Sequence, residues 1–198
     1  SADFFTPLAV ELDRRRPAGR VEVVPTVNYW EAARLGELPL ARGWLRQADL
    51  ERHRLFFDGT LDVETYRRWL DRMAVSHVAL PHTRLSWVGQ AEAELIDQGL
   101  PYLQEVWSTS DWTLYEVTDP APLVSAPGML VDATATGVEF TVSVPGEVRV
   151  AVWPSRWLAV DGPAGACLVP GDDHVVVRIA QPGSYVLTGS LAKSAPYC

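Results

Sequence analysis

A change of hydrophobic period at DPAPLVSAPG, Asp119 to Gly128, constrains this chain more than any other feature. Upstream of it, apolar residues recur both at helical spacing and in short β-branched runs, whereas downstream only strand-like runs remain. Pro120, Pro122 and Pro127 make the junction stiff and unsuited to a helix interior or a central strand. Such a change predicts two architectures in succession. The first is an α/β domain with a small mixed sheet over 1–118, followed by a proline-rich linker over 119–128. The second is an all-β sandwich over 129–198.

The upstream elements can be read individually. GRVEVVP, Gly19 to Pro25, is a β-branched run closed by proline, and SHVALP, Ser76 to Pro81, is a second. Between them, Tyr66, Trp69, Leu70 and Met73 fall on one helical stripe within Thr60 to Val75, with Thr60 as N-cap and Asp62 and Glu64 in the first turn. Ala91 to Leu100 reads as a further helix with Gly99 at its C-terminal cap. Two alternating runs, Tyr102 to Ser108 and Trp112 to Asp119, flank a short polar turn and predict a hairpin. Downstream, VEFTVSVPG, EVRVAVWP, DHVVVRIA and GSYVLTGS alternate or are β-branched between Pro-Gly and Asp-containing breaks. Within EVRVAVWP the alternation predicts Val148, Val150 and Val152 on one face and Arg149, Ala151 and Trp153 on the other.

A formal net charge of −8 over 198 residues opposes nucleic-acid binding, which draws most of its affinity from lysine and arginine on phosphates. No nucleic-acid partner is expected. The run Arg14-Arg15-Arg16 is short and followed by Pro17, which suits a solvated helix end. No stretch approaches the ~20 apolar residues that span a bilayer, and no signal-peptide pattern is present. The chain is expected to be soluble as written, as would be a domain excised from a membrane or secreted protein.

Catalytic and cofactor signatures are not found. There is no GxSxG elbow, HExxH, Walker loop, GxGxxG after the first strand or EF-hand loop, so no cofactor, metal site or catalytic residue is assigned. His53, His77, His82 and His174 lack ligand spacing, and Asp172-Asp173 reads as a turn. Glycoside chemistry needs two acids flanking one bond, and nothing singles out a pair among 25 acidic residues. The spacing of Cys167 and Cys198 excludes CxxC chemistry and leaves a disulfide or two free thiols.

Two segments are candidate binding sites. Within Asn28 to Gly59, the aromatic rings of Tyr29, Trp30 and Trp44 accompany Glu31, Arg42, Arg46, Gln47 and Asp49. Rings stack on sugar CH groups while guanidinium, amide and carboxylate read hydroxyls or phosphate oxygens, as a glycan or lipid-headgroup site requires. The competing reading packs the tryptophans on the sheet and pairs the charges at the surface. In VWPSRWLAVDG, Val152 to Gly162, Trp153 and Trp157 form either a sugar platform or a corner of the sandwich core.

Several phrases, GRVEVVPT, YWEAARL, PLARGWLRQAD, TYRRWLDRMAVSHVALP and WTLYEVTD, resemble the soluble extracytoplasmic portion of large polytopic bacterial membrane proteins. These look like multi-spanning GT-C-type lipid-linked sugar transferases, including the YfhO-like and the 6-pyruvoyl-tetrahydropterin-synthase-related membrane protein groups. The β-rich part of that group carries patterns similar to Trp157 to Gly162, Gly171 to Val175 and Pro182 to Tyr185. The resemblance implies an extracytoplasmic, membrane-tethered location, with the membrane-embedded part of the same polypeptide as partner and a glycan or lipid-linked sugar as ligand. It also implies that the catalytic carboxylate lies in the membrane part, so that this domain alone is inert. An oxidising exterior suits a Cys167–Cys198 pair. The alternative is a free-standing secreted carbohydrate-binding protein that uses Trp153 and Trp157.

Overall fold

The computed structural model describes residues 2–42, 50–189 and 197–198. Strand predominates over helix, and the chain divides into two compact units, Ser1–Ala121 and Pro122–Cys198.

In the first unit β1 (Arg20–Val23) runs parallel to β2 (Val75–Pro81). Antiparallel β4 (Trp112–Val117) and β3 (Leu103–Ser108) complete a mixed sheet in the order β1-β2-β4-β3. Alternation along β1 separates its two faces. Val21 and Val23 pack with Phe5, Leu8 and Leu12 of helix α1 (Ala2–Arg15), beside Trp112 and Leu114. Those helical residues sit at i, i+3 and i+7, one buried stripe. The helix stops where Arg16 takes a left-handed φ of 50° and its N–H bonds the Leu12 carbonyl at 3.0 Å, just before Pro17.

Helices α3 (Val63–Arg72) and α4 (Trp87–Asp97) contribute to the other core cluster, which includes Val24, Val78 and Leu80. Tyr66, Trp69 and Leu70 are buried as their spacing predicts. The cap is Asp62 rather than Thr60: the Asp62 carboxylate accepts from Thr65 N–H at 2.7 Å while Thr65 Oγ1 accepts from Asp62 N–H at 2.8 Å. Helix α4 begins before Ala91, because Ser86 caps it by accepting from Gly89 N–H at 3.1 Å. Gly89 is required there by close approach, since a Cβ would lie 2.5 Å from the Pro25 carbonyl oxygen. Along the outer edge of β1 a short strap bonds to both sides of Val21: Val21 N–H donates to Pro39 O at 3.1 Å and Ala41 N–H to Val21 O at 2.9 Å.

The second unit has two antiparallel sheets. One has the order β5-β6-β11-β8, formed by β5 (Gly128–Ala133), β6 (Gly137–Val142), β11 (Gly183–Gly189) and β8 (Leu158–Asp161). The other has the order β7-β10-β9, from β7 (Gly146–Val150), β10 (Val175–Ile179) and β9 (Cys167–Pro170). Alternate residues are buried, among them Phe140, Val142, Val148, Val150, Val175, Val177, Tyr185 and Leu187. The expected alternation breaks after Val150, where β7 ends: Ala151 is buried and bonds Leu123 O at 2.9 Å, while Val152 is only half-buried.

The proline-rich stretch does not act as a linker throughout. Leu123 and Val124 are buried, Val124 bridges Val150, and Ser125 N–H donates to Arg149 O at 2.8 Å. Residues 122–128 therefore fold as part of the second unit. Cys167 and Cys198 are joined as a disulfide. Beside it Tyr197 bridges Leu168 and its hydroxyl donates to Ser155 O at 2.8 Å.

Candidate functional site

Parallel strands direct their carboxyl ends, and the loops that follow, to one side of a sheet, where open α/β sheets bind ligands. In this chain those loops are 24–30 after β1 and 82–86 after β2. They are zipped together: Thr26 bridges Leu85, Val27 N–H donates to Arg84 O at 3.2 Å and Ser86 N–H to Pro25 O at 2.9 Å. Tyr29 N–H returns to Thr26 O at 3.1 Å with Tyr29 at a left-handed φ of 53°. That conformation costs a residue with a Cβ roughly 1–2 kcal/mol, so the surrounding bonds hold the turn in place. The short helix α2 (Glu31–Arg34) follows.

The result is a groove of about 490 Å³ lined by Phe5, Thr26, Val27, Asn28, Trp30, Arg34, Thr83 and Arg84. Trp30 is 48% exposed, and the Arg34 guanidinium carbon stands 5.1 Å from its ring centroid. Stacking of this kind orders the planar fork of an arginine while leaving its N–H edges available. Thr26 Oγ1 donates to the buried Glu31 carboxylate at 2.8 Å, which orients the hydroxyl of this groove residue. Burial chiefly raises the Glu31 pKa, against hydrogen bonds that lower it. The groove can stack a planar or CH-rich ligand face on Trp30 and read oxygens with Arg34, Arg84, Asn28 and Thr83.

Of the residues selected from the sequence, Trp30 lines this groove, and Tyr29 is half-buried in the turn before it. Glu31 and Arg42 are not ligand-reading side chains, because both are turned inward. Arg42 lies between β1 and α4: its Nε donates to Glu22 Oε1 at 3.0 Å and its Nη2 to both Glu22 and Glu92. Tyr66 Oη donates to Glu92 Oε1 at 2.7 Å, and the guanidinium stacks 3.9 Å over Phe56. A buried cation needs such compensation, and this one holds α4 and the strap against β1. Burial first, and the neighbouring Glu92 charge, raise the Glu22 pKa against the pull of Arg42. Trp44, Arg46, Gln47 and Asp49 lie outside the described residues. In the second unit Trp157 is 45% exposed with the Arg156 guanidinium 4.5 Å from its ring, whereas Trp153 is half-buried.

Phe5, Thr26, Thr83, Arg34 and Arg84 were not selected from the sequence as ligand-contacting residues. The signal for them was the pairing of the two β-branched runs: once GRVEVVP and SHVALP are parallel neighbours, the residues after each must converge.

His53 sits beside the buried cluster. Trp69 Nε1–H donates to its Nδ1 at 3.1 Å, so the ring is neutral, and burial, then the charges of Arg42, Arg72 and Arg52, hold its pKa down to about 3. An unfolded histidine takes its proton near pH 6.5, so stability falls as pH drops through that value, by at most about 1.4 kcal/mol per pH unit, until the folded ring also titrates. His53→Gln preserves an acceptor for Trp69 without a titrating group. Chemical unfolding at pH 6.5 and pH 5 should show the wild type losing about 1.5 kcal/mol more than this variant.

Among the described residues no cluster of three or more histidine, cysteine, aspartate or glutamate side chains could hold a metal, and no helix is long and apolar enough to cross a membrane. No protein-family model, curated protein or solved structure matches the chain.

Proposed function

We propose that this chain is a non-catalytic extracytoplasmic domain of a multi-spanning membrane protein of the lipid-linked sugar transferase type. In this role the groove between Trp30, Arg34 and Arg84 holds a glycan or lipid-linked sugar near the membrane-embedded site, and the second unit is a β-sandwich that spaces or supports it. The observation that carries the reading is the groove itself: an exposed indole with two guanidinium groups and three short polar side chains at the carboxyl ends of the parallel pair. The Cys167–Cys198 disulfide supports an oxidising compartment.

A second reading, a free-standing secreted carbohydrate-binding protein, rests on the exposed Trp157 and its stacked Arg156. Glycan-array binding of the isolated chain separates the two. Trp30→Ala is expected to weaken binding more than about tenfold while Trp157→Ala leaves it unchanged, a loss typical of a stacking aromatic. The reverse pattern favours the secreted protein, and turnover of glycosides by the isolated chain defeats the non-catalytic reading.

A further inference from the structure

We propose that the groove selects an anionic sugar, one carrying a phosphate or carboxylate beside a pyranose ring, over a neutral glycan. This rests on the glycan-holding reading above and narrows it to a ligand class.

Seven of the chain's sixteen arginines pair with a carboxylate among the described residues: Arg14 and Arg15 with Glu11, Arg42 with Glu22 and Glu92, Arg54 with Asp58, Arg67 with Asp71, Arg149 with Asp173 and Arg178 with Glu147. Arg34 and Arg84 have no carboxylate at ion-pair distance among the described residues, and both are exposed on the same groove. No aspartate or glutamate lines that groove, although the chain has 25 of them. A cleft on the outer side of α3, of about 430 Å³, makes the contrast: Glu51 and Asp58 line it together with Arg54, Arg68 and Arg72. The Trp30 groove is thus a local reversal of sign in a chain of net charge −8.

The geometry adds direction. Arg34 is already stacked on Trp30, so its fork is ordered before any ligand arrives, and a bidentate grip on an oxyanion loses less side-chain entropy. Arg84 projects from a backbone pinned by Val27 N–H, on the loop opposite Trp30. An oxyanion held by these two guanidinium groups would bring the sugar that carries it into a groove also lined by Trp30, Asn28 and Thr83. Glu31, hydrogen-bonded by the groove residue Thr26, is buried, and burial favours its neutral form, so its repulsion of an incoming anion is reduced.

The test is a titration of the isotope-labelled chain with glucose 1-phosphate, glucuronate, methyl glucoside and inorganic phosphate, followed through the Trp30 indole and the Asn28, Thr83 and Arg84 amides. Glucose 1-phosphate or glucuronate should bind at least about tenfold more tightly than methyl glucoside, and Arg34→Gln with Arg84→Gln should erase that difference. Both side chains are exposed, so the double variant is expected to fold. Preference for glucose 1-phosphate or for glucuronate distinguishes a phosphate from a carboxylate as the source of charge. Equal affinity for methyl glucoside overturns the proposal and leaves the glycan reading standing. Inorganic phosphate binding as tightly as glucose 1-phosphate overturns the sugar component, and no binding of any probe removes both readings.

Discussion

Arg42→Met is expected to destabilise the first unit by about 3–5 kcal/mol, because it leaves the Glu22 and Glu92 carboxyls buried without their cation. That is a large share of the stability of an ordinary domain. The sign of the pH dependence follows. Removing Arg42 takes away the charge that pulls the Glu22 pKa down, so its folded-state pKa rises further; a raised carboxyl pKa penalises the fold above the unfolded value near 4.3, so the deficit should grow from pH 4 to pH 7. Urea unfolding at the two pH values measures it. Adding Glu22→Gln and Glu92→Gln to Arg42→Met should recover much of the loss, since uncharged amides cost less to bury than unpaired charges. A loss under about 1 kcal/mol at pH 7 would falsify the view that this ion cluster holds α4 and the strap against β1.

Replacing Cys167 and Cys198 with serine is expected to destabilise the second unit by about 3–4 kcal/mol in the chain-entropy model, given a separation of 31 residues. The cross-link also keeps Tyr197 on Leu168 and its hydroxyl on Ser155, in the segment that carries Trp153 and Trp157. Trp157 emission should therefore shift toward that of a freely solvated indole in the double serine variant, whereas the groove around Trp30 lies in the other unit and keeps its ligand affinity. Unfolding curves that superimpose for the variant and the oxidised wild type would exclude a stabilising role for the bond.

The elements that were legible from sequence are those whose periodicity is local. The stripe Tyr66, Trp69, Leu70 and Met73 needs only one helix to be recognised, and Gly99, with φ of 83°, marks the end of another by its own backbone preference. Caps were misplaced where two polar residues competed: Thr60 spends its hydroxyl on Asp58, and Asp62, two residues on, closes the reciprocal pair with Thr65. The start of α4 was hidden by Gly89, which reads as a breaker until the Pro25 carbonyl is placed against it.

The site was only partly legible, for a different reason. Trp30 announces itself as an aromatic among polar residues, but Arg84 comes from another loop, and only the parallel register of β1 and β2 brings it there. Arg42 and Glu31 illustrate the opposite error. Charged residues beside aromatics suggest a surface that reads polar ligands, yet Glu22 and Glu92 compensate Arg42 in the interior, and Thr26 engages Glu31. Burial of a charge depends on where its partners arrive in space, which sequence spacing does not encode.

The strap at Pro39 to Ala41 has a consequence for how copies of this protein treat one another. Strand β1 is the border of its sheet, and unsatisfied backbone groups along such a border invite a neighbouring molecule to add a strand of its own. Here the chain occupies that place itself, with the bonds at Val21, and the very next residue is Arg42, anchored in the interior. Protection against runaway self-assembly thus hangs on an internal ion pair. A variant that loses that anchor is expected to expose its border and to clump rather than melt quietly.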